Sequence, residues 1–386
     1  MTKLPNTSTE PPGATRRIAV AHRNIVSRDA IGNDILGMHD VLAGCGFEVE
    51  LIGEHFDTAT KHRARTVRLD EASGRRADML IYHHSIMWER GEELLRKVTA
   101  PRFLRYHNVT PPEFFADYSV QSVSLCRAGR AQTKRLVALC DAGCLAASAY
   151  NGAELAAAGA RSVSVVPPFT GVSDMLRPAR PLPQPPFRIL FVGRLAPHKG
   201  HLDLLNVVAA YVATIGREIS LTIVGGTSPG LLGYRAEIGR AIARLGLTDH
   251  VELLDQVDEA TLDVLFTQAS LFLNMSEHEG FSVPIIEAQA AGVPVIAANQ
   301  TAVGETIGSG QMLVERPRRS EDYLYIAKLI HAACTDAKLR RQIIAFGHRN
   351  VLNRFTPQRV ASRFMEALAP VLERQAAERR QSEAAP

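Results

Sequence analysis

Two glutamates in the stretch SEHEGFSVPIIEAQAAGVPVIA, Ser276 to Ala297, have the type and spacing to do chemistry. Seven residues separate Glu279 from Glu287, and Pro284, a residue favoured in a first helical turn, stands between them. The pattern predicts a helix from about Pro284 to Gly292, with Glu279 in the loop before it and Glu287 about one turn inside. Carboxylates in these places can accept hydrogen bonds from the hydroxyls of a polyol. The alternative is that Glu279 caps the helix and Glu287 is solvated.

A second candidate site lies in FVGRLAPHKGHLDLL. A predicted strand ends at Gly193 and a helix begins near Gly200 or His201, and Arg194 and Lys199 flank the loop between them. A guanidinium fork and a compact ammonium group both bind phosphate, and a helix N-terminus adds about 0.5–1 kcal/mol for an anion. The loop matches neither a Walker A motif nor a G-x-G-x-x-G motif. Two solvated surface cations are the alternative, but together with the two glutamates the loop predicts a site for a nucleotide diphosphate sugar.

The candidate residues must be positioned by strands and helices, which the sequence predicts as apolar runs alternating with helical patterns. The runs predict twelve strands: 18–22, 48–54, 77–84, 102–108, 141–148, 162–167, 187–193, 219–226, 251–257, 269–276, 294–299 and 312–315. Such alternation is typical of parallel α/β sheets covered by helices on both faces. The linker RPARPLPQPP holds five prolines in ten residues and divides the pattern into two doubly wound domains with a cleft between them. The predicted parts are a disordered lead (1–15), a first domain (16–176), the linker (177–186), a second domain (187–355) and a C-terminal helix ending in a polar tail that frays (356–386).

Length and composition narrow the class of protein. A chain of 386 residues exceeds what one hydrophobic core usually holds, which favours two domains. No apolar run approaches the eighteen or so residues of a membrane span, and the first residues lack the apolar segment of a secretory signal. Five scattered cysteines without a Cys-x-x-Cys pair indicate reduced cytoplasmic thiols and no zinc site. A net charge of +4 is too small to indicate nucleic acid, and it suits an anionic small substrate or membrane surface.

The motifs GRLAPHKG, SEHEGFSVPIIEA, AAGVPVIA and TAVGETIG carry a family resemblance that covers the second domain nearly end to end. The chain resembles retaining glycosyltransferases of family 4 (glycosyl transferases group 1), and in particular mannosyltransferase-like members of bacterial surface-polysaccharide pathways. The resemblance implies a GT-B fold, in which two Rossmann-like domains face a central cleft. It also implies the roles of the second-domain residues: Arg194 and Lys199 on the donor diphosphate, Glu279 with Gly280, Phe281, Ser282 and Val283 at the transferred sugar, Glu287 on the ribose, and Val257 against the base.

In the first domain the same resemblance points to two stretches. RDAIGND is expected to form a glycine-containing loop that approaches the donor phosphate through Gly32 and Asn33, although Ile31 stands where many members have a first glycine. A simple strand-to-helix turn is the alternative. In RYHNVTPPEFF, His107 closes a predicted strand at the edge where open α/β sheets bind ligands, and it resembles the family's sugar-contacting histidine. His83 and His84, which end the preceding strand, are its rivals.

Two further stretches of the first domain have open interpretations. Pro111, Pro112, Phe114 and Phe115 form either an acceptor-site wall or a packed loop. CRAGRAQTKRL clusters basic residues on one predicted helix, Arg127, Arg130, Lys134 and Arg135. Family members with lipid-linked acceptors often touch the inner membrane through such a surface, where each cation contributes about 1 kcal/mol. A solvated helix face is the alternative.

The resemblance implies transfer of a hexose to a hydroxyl with retention of anomeric configuration. The sequence contains no Asp-x-Asp triplet, so we expect no metal and no other cofactor. The expected donor is GDP-mannose, with a UDP-sugar as the second choice, and the expected acceptor is a glycan or a lipid-linked glycan. We expect a cytoplasmic protein that can associate with the inner membrane surface and does not bind nucleic acid. The alternatives are a sugar-nucleotide 2-epimerase or phosphorylase of the same fold, or a non-catalytic protein that binds nucleotide sugars.

Overall fold

A computed structural model describes residues 16–27, 29–74, 77–178 and 181–383. The predicted lead, 1–15, lies outside these residues, as do Ala179 and Arg180 of the linker. The strands are β1 (Arg17–Ala21), β2 (Asn24–Ile25), β3 (Glu48–Gly53), β4 (His55–Phe56), β5 (Arg65–Arg68), β6 (Met79–His84), β7 (Arg102–Tyr106), β8 (Gly143–Ala146), β9 (Val163–Val165), β10 (Phe187–Val192), β11 (Ile219–Val224), β12 (Val251–Leu254), β13 (Leu271–Asn274), β14 (Val295–Ala298) and β15 (Met312–Val314).

The helices alternate with these strands. They are α1 (Ala30–Gly44), α2 (Thr58–Arg63), α3 (Glu89–Lys97), α4 (Val120–Leu139), α5 (Ala149–Ala157), α6 (His201–Thr214), α7 (Leu232–Arg244), α8 (Glu259–Gln268), α9 (Val283–Ala290), α10 (Val303–Ile307), α11 (Ser320–Thr335), α12 (Ala337–Arg354) and α13 (Pro357–Glu383). Short 3₁₀ turns add Leu69–Gly74, Pro112–Phe115, Val172–Met175, Pro197–Lys199 and Pro229–Leu231. No helix within the described ranges is long and apolar enough to cross a bilayer.

Two parallel sheets form the frame of the molecule. The first has the order β5-β3-β1-β6-β7-β8-β9 and the second the order β12-β11-β10-β13-β14-β15. In each sheet the order reverses at the strand that begins the domain, β1 or β10, which is the kind of switch point where α/β sheets bind ligands. The α/β fold class with two doubly wound domains is confirmed. All twelve predicted strands are present, eleven of them shortened and the first, β1, shifted by one residue. Three short strands were not predicted, namely β5 at the sheet edge and the parallel pair β2 and β4.

Strand sequences explain why the sheets are buried. β6 (MLIYHH) is buried at every position, and β13 (LFLN) and β14 (VIAA) are too, as expected for parallel strands covered on both faces. On one face of the first sheet the core includes Ile18, Val20 and Ile81. On one face of the second sheet it includes Ile189, Leu221 and Leu273.

The last helix, α13, packs on the first domain. Its apolar residues Val360, Phe364, Leu368 and Val371 share a core with strand residues of the first sheet. The polar tail that is predicted to fray is helical through Glu383. Gln375 donates a hydrogen bond of 2.6 Å to the carbonyl of Asp78, and Arg379 forms a 2.8 Å ion pair with the Asp78 carboxylate. These contacts hold the polar end of the helix against the residue that precedes the central strand β6.

Candidate active site

The two sequence-predicted groups of the second domain meet at the carboxyl ends of β10 and β13. Glu279 lies in the loop of residues 275–282, named here the Glu279 loop, and Lys199 ends the 3₁₀ turn after β10. The Lys199 Nζ donates a 2.7 Å hydrogen bond to Oε1 of Glu279, and both side chains are largely buried, with 16% and 10% exposed. Residues 80 positions apart are thus brought into direct contact. A cation and a carboxylate share one small site.

Arg194 stands at the mouth of the same loop. Its side chain is exposed and makes no hydrogen bond or ion pair with the described part of the chain. It lies close enough to α4 of the first domain for its charge to act on the Cys126 thiol, whose pKa is nevertheless raised because burial dominates. Arg194 is therefore a cation available to a ligand in the cleft between the domains.

Glu287 is the fifth residue of α9 and is only partly exposed. No hydrogen bond or ion pair to its carboxylate is found among the described residues, and desolvation raises the pKa of this carboxyl to about 7. A carboxylate without a protein partner, one turn inside α9, can accept hydrogen bonds from a ligand. Its charge, however, depends on pH near neutrality.

The rest of the Glu279 loop is packed tightly. A Cβ on Gly280 would lie 2.6 Å from the carbonyl oxygen of His107, so the loop rests directly on the first domain and only glycine fits there. The Phe281 side chain is buried against Phe355, with ring centroids 5.4 Å apart, which makes it a core residue. Ser282 occupies the N-cap position of α9 with a positive φ of 77° and makes no side-chain cap hydrogen bond, and Val283 is the first residue of the helix.

Val257 follows β12 and is half-buried against the apolar residues under α8. It lies at the same sheet edge as Arg194 and Glu279, because β12 is the second strand from β10 in the sheet. Val257, which is predicted to lie against the base of a nucleotide, is therefore at the same end of the sheet as the other candidate residues.

The expected loop around Gly32 and Asn33 is wrong, because both residues lie in the first turn of α1. A Cβ at Gly32 would lie 1.8 Å from the Val26 carbonyl oxygen, so this glycine permits close packing of the helix against the preceding segment. Asn33 is exposed, and its backbone N–H donates to the Asp29 carbonyl at the start of the helix. Arg28 lies outside the described residues.

His107 directly follows β7 and heads a buried polar cluster. Its Nε2 is 2.9 Å from Nδ1 of His83, the predicted rival, and 3.8 Å from Oδ2 of Asp34. Burial first, and then the nearby Arg105 charge, holds the pKa of His107 well below its usual range. Desolvation lowers the pKa of His83 in the same way. Both imidazoles are therefore neutral near pH 7, and a hydrogen bond rather than an ion pair joins them.

Asp34 and Arg105 form a fully buried ion pair beneath these histidines. Arg105 Nε donates to Asp34 Oδ2 at 2.8 Å, and the Phe169 N–H donates to Oδ1 at 2.8 Å. Among the described residues, Asp34, His83 and His107 place ligand atoms within 4.8 Å of one another, a spacing that a metal ion could bridge. Both carboxylate oxygens are already used, and the Arg105 charge opposes a second cation. The geometry favours a hydrogen-bonded support for His107.

The other first-domain candidates are structural. His84 Nε2 is bonded to the Thr133 hydroxyl at 2.9 Å, and burial lowers its pKa to about 4. The loop after His107 packs against the second domain, because the rings of Phe114 and Phe115 lie 5.9 and 5.7 Å from His198. The packed-loop interpretation of this stretch therefore agrees with the structure. Pro111 and Pro112 begin that loop.

Basic residues of α4 are all exposed, but two of the four are neutralised. Arg130 pairs with Glu154 at 3.2 Å, and Arg135 pairs with Glu92 at 3.0 Å. Arg127 and Lys134 make no hydrogen bond or ion pair with the described ranges of the chain. The helix therefore presents two available cations rather than four.

Contacts between the domains close the cleft around these residues. Both carboxylate oxygens of Glu305, on α10, accept the Ala149 N–H at 2.8 Å, so a second-domain residue caps a first-domain helix, α5. His278 Nε2 donates to the Asn108 Oδ1 at 2.9 Å, one residue beyond His107. The faces that carry Glu279 and His107 are thus held against each other.

Several residues of the site were not selected from the sequence. Arg105 carries a usable signal, because a charge in the apolar strand RFLRY must have a partner if that strand is buried. Thr301 and Glu305 lie inside the quoted motif TAVGETIG, but neither spacing nor residue type marks them as contacts of other segments. Their partners lie 22 and 156 residues away.

The geometry agrees with what comparison with known proteins shows. Residues 173–349 match the model of the family described as glycosyl transferases group 1. The match includes Arg194, Lys199, Glu279 and Glu287, and thus the second-domain half of the site. It begins before β10 and ends within α12.

Curated relatives match the chain over shorter stretches. A D-inositol 3-phosphate glycosyltransferase of Streptomyces griseus is 34% identical over 146 residues, which are 34% of this chain and 31% of the relative. A GDP-mannose:cellobiosyl-diphosphopolyprenol alpha-mannosyltransferase of Xanthomonas campestris is 28% identical over 182 residues, 43% of this chain and 45% of the relative. The chain thus spans less than half the length of these curated relatives.

Solved structures match over nearly the whole length. Anabaena HepE, solved in complex with UDP and glucose, superposes with a TM-score of 0.71 at 17% identity, covering 92% of this chain and 100% of HepE. This similarity shows the fold, two Rossmann-like domains of the GT-B type.

Proposed function

We propose that the chain is a glycosyltransferase that moves a hexose from a nucleotide diphosphate sugar to a hydroxyl of a glycan or lipid-linked glycan, with retention of anomeric configuration. The observation that carries the proposal is the 2.7 Å contact between Lys199 and Glu279 in the cleft. A donor needs a cation for its diphosphate and a carboxylate for its sugar hydroxyls, and they must be neighbours. The family match of residues 173–349 supports this interpretation.

Bond breaking between the sugar and the diphosphate leaves negative charge on the phosphate. Arg194, Lys199 and the N-terminus of α9 are placed to stabilise that charge. Lys199 is now bonded to Glu279, so the phosphate would compete for its ammonium group, and Glu279 would turn its oxygens to the sugar. We propose that these two cations supply the charge that a metal ion supplies elsewhere, and that no cofactor takes part.

His107 is proposed to orient the sugar by hydrogen bonding. Burial lowers the pKa of its imidazole, so it is a poor general base at neutral pH. Retention then calls for attack on the same face from which the diphosphate leaves. The departing phosphate oxygen takes the proton of the acceptor hydroxyl, the new glycosidic bond forms and the sugar–phosphate bond breaks. This route requires no protein base.

For the donor we propose GDP-mannose, with a UDP-sugar as the second choice. The Xanthomonas relative is named for GDP-mannose and for a diphosphopolyprenol-linked acceptor, which supports the first choice and a lipid-linked glycan as acceptor. Anabaena HepE was solved with UDP and glucose bound, which supports the second. With such an acceptor, we propose a cytoplasmic protein that meets the inner membrane through Arg127 and Lys134 of α4.

Calorimetric titration of GDP, UDP and ADP into the purified protein, followed by turnover of the matching nucleotide sugars, tests the proposal. We expect one nucleotide to bind selectively and the Lys199→Ala variant to lose about 10²–10³ in turnover rate, the usual effect of removing one charged donor. Lys328→Ala, an exposed lysine on α11, is the matched control and should behave as wild type. If the wild type binds none of the nucleotides, the proposed donor site is wrong. Binding without sugar transfer would instead indicate a non-catalytic protein. An epimerised sugar nucleotide formed without any acceptor would indicate an epimerase, and absorbance from a lysine Schiff base of pyridoxal phosphate would indicate a phosphorylase.

A further inference from the structure

Thr301 has a backbone conformation that its side chain disfavours. Its φ is +48°, in the left-handed region, where a β-branched residue is strained. Such strain persists only where the surrounding structure holds it in place. Thr301 lies between β14 and α10, and its side chain does not belong to the apolar core.

The hydroxyl of Thr301 is bonded on both sides to a single residue, Glu279. The Glu279 N–H donates to Thr301 Oγ1 at 2.8 Å, and Oγ1 donates back to the Glu279 carbonyl at 3.0 Å. The Ala302 N–H adds a third, longer bond of 3.4 Å to the same carbonyl. Both backbone polar groups of Glu279 are therefore fixed by Thr301 and the residue after it.

Other bonds hold the rest of the Glu279 loop but do not use the backbone groups of Glu279 itself. The N–H groups of Glu277 and His278 donate to the His198 carbonyl at 2.8 and 3.4 Å. The Asn274 side chain bonds Ser276 N and Ser282 Oγ, at 2.7 and 3.1 Å, and Thr306 Oγ1 donates to the Phe281 carbonyl at 2.6 Å. These contacts leave the backbone N–H and carbonyl of Glu279 to Thr301 and Ala302. The side chain of Glu279 then projects to Lys199 from a residue whose own backbone groups Thr301 holds.

We propose that Thr301 is a positioning residue for Glu279: its hydroxyl fixes the Glu279 backbone so that the carboxylate faces the donor sugar and Lys199, and the strained φ is kept for that contact. The proposal rests on the proposed function for its catalytic consequence. The geometric part, the hold on the loop, does not depend on it.

Three substitutions separate the hydroxyl from the strain. Thr301→Ser keeps the hydroxyl, Thr301→Val keeps the branched side chain without it, and Thr301→Gly removes both the hydroxyl and the penalty of a positive φ. In Thr301→Gly the relief of the positive φ opposes the loss of the hydroxyl bonds, and the thermal midpoint measures the balance. A loss of function at a wild-type midpoint then does not come from a weakened fold.

Amide hydrogen exchange of the Glu279 loop, measured by mass spectrometry, is the first readout and needs no activity. We expect faster exchange in Thr301→Gly and Thr301→Val, because the Glu279 N–H loses its acceptor, and unchanged exchange in Thr301→Ser. Unchanged exchange in both the Gly and the Val variants overturns the proposal. This readout does not require turnover. If the wild-type protein uses no nucleotide sugar, the proposed function is refuted, but the exchange measurement still decides the role of Thr301.

Donor turnover is the second readout. For Thr301→Gly we expect kcat to fall about 10- to 100-fold, the scale of a misplaced catalytic group, while nucleoside diphosphate binding stays within about twofold. Combined with Glu279→Gln, Thr301→Gly should cost little more than Glu279→Gln alone, since both act on one carboxylate. A full additive loss in the double variant, or wild-type kcat in Thr301→Gly, shows that Thr301 does not act through Glu279.

Discussion

The raised pKa of Glu287 predicts how the KM for the donor depends on pH. Desolvation raises this pKa to about 7, so about a tenth of the protein carries the carboxylate at pH 6 and about nine tenths at pH 8. If the carboxylate form binds the ribose hydroxyls, the donor KM should fall about tenfold from pH 6 to pH 8, a change of about 1.4 kcal/mol. The sign follows from the raised pKa, because the binding form exists above it and is lost as the pH falls through it.

The assay is donor KM measured across pH 6–8 with an intact nucleotide sugar, whose esterified phosphates do not titrate in this range. Glu287→Gln is the matched control, since its amide has the same shape and cannot ionise, and its KM should be flat. The buried histidines of the cleft do not confuse the result, because burial holds the pKa values of His83, His107 and His198 well below 6.5. A flat wild-type profile, or an equal slope in Glu287→Gln, would refute the assignment of Glu287 to the ribose.

Three further predictions concern the contacts around the cleft. Glu305→Ala removes a carboxylate from the N-terminus of α5, an interaction worth about 0.5–1 kcal/mol. The population with separated domains should therefore rise about two- to fivefold, measured by interdomain fluorescence transfer. An unchanged signal would show that this cap does not hold the domains together. Gly280→Ala places a methyl group 2.6 Å from the His107 carbonyl oxygen and should push the two domains apart. Small-angle scattering should then show a larger particle, and turnover should drop. An active, equally compact variant would contradict the tight interface. Arg105→Met leaves the buried Asp34 carboxylate unpaired and should lower the free energy of unfolding by about 3–5 kcal/mol in urea titrations, with Asp34→Asn added as the variant that recovers part of it.

The frame of the molecule could be predicted because its strands are long apolar runs. Runs such as ADMLIYHH and FRILFVG contain β6 and β10 and need no partner to be recognised. The edge strand β5, RTVR, escaped prediction because four residues with two charges give too little periodicity. The family resemblance predicts a loop at Gly32, whereas here this glycine allows a helix to pack against the Val26 carbonyl.

The candidate site was predictable where one short segment carries it. Glu279 and Glu287 lie within one motif, and their places before and inside α9 follow from Pro284. The ion pair of Asp34 with Arg105 joins residues 71 positions apart, so no local pattern reveals it. The positive φ of Thr301 is equally hidden, because the type of residue argues against it.

The path of α13 has a consequence for how the chain folds during synthesis. Residues 360–371 complete the core of the first domain, although they leave the ribosome after the whole second domain. The first domain is synthesised first but completes its core last. Until α13 has been synthesised, an apolar face around Ile18 and Val20 stays exposed to solvent. A chain cut after Arg354 would retain all residues of the two-glutamate motif but lack that cover, so we expect it to aggregate rather than to lose binding alone.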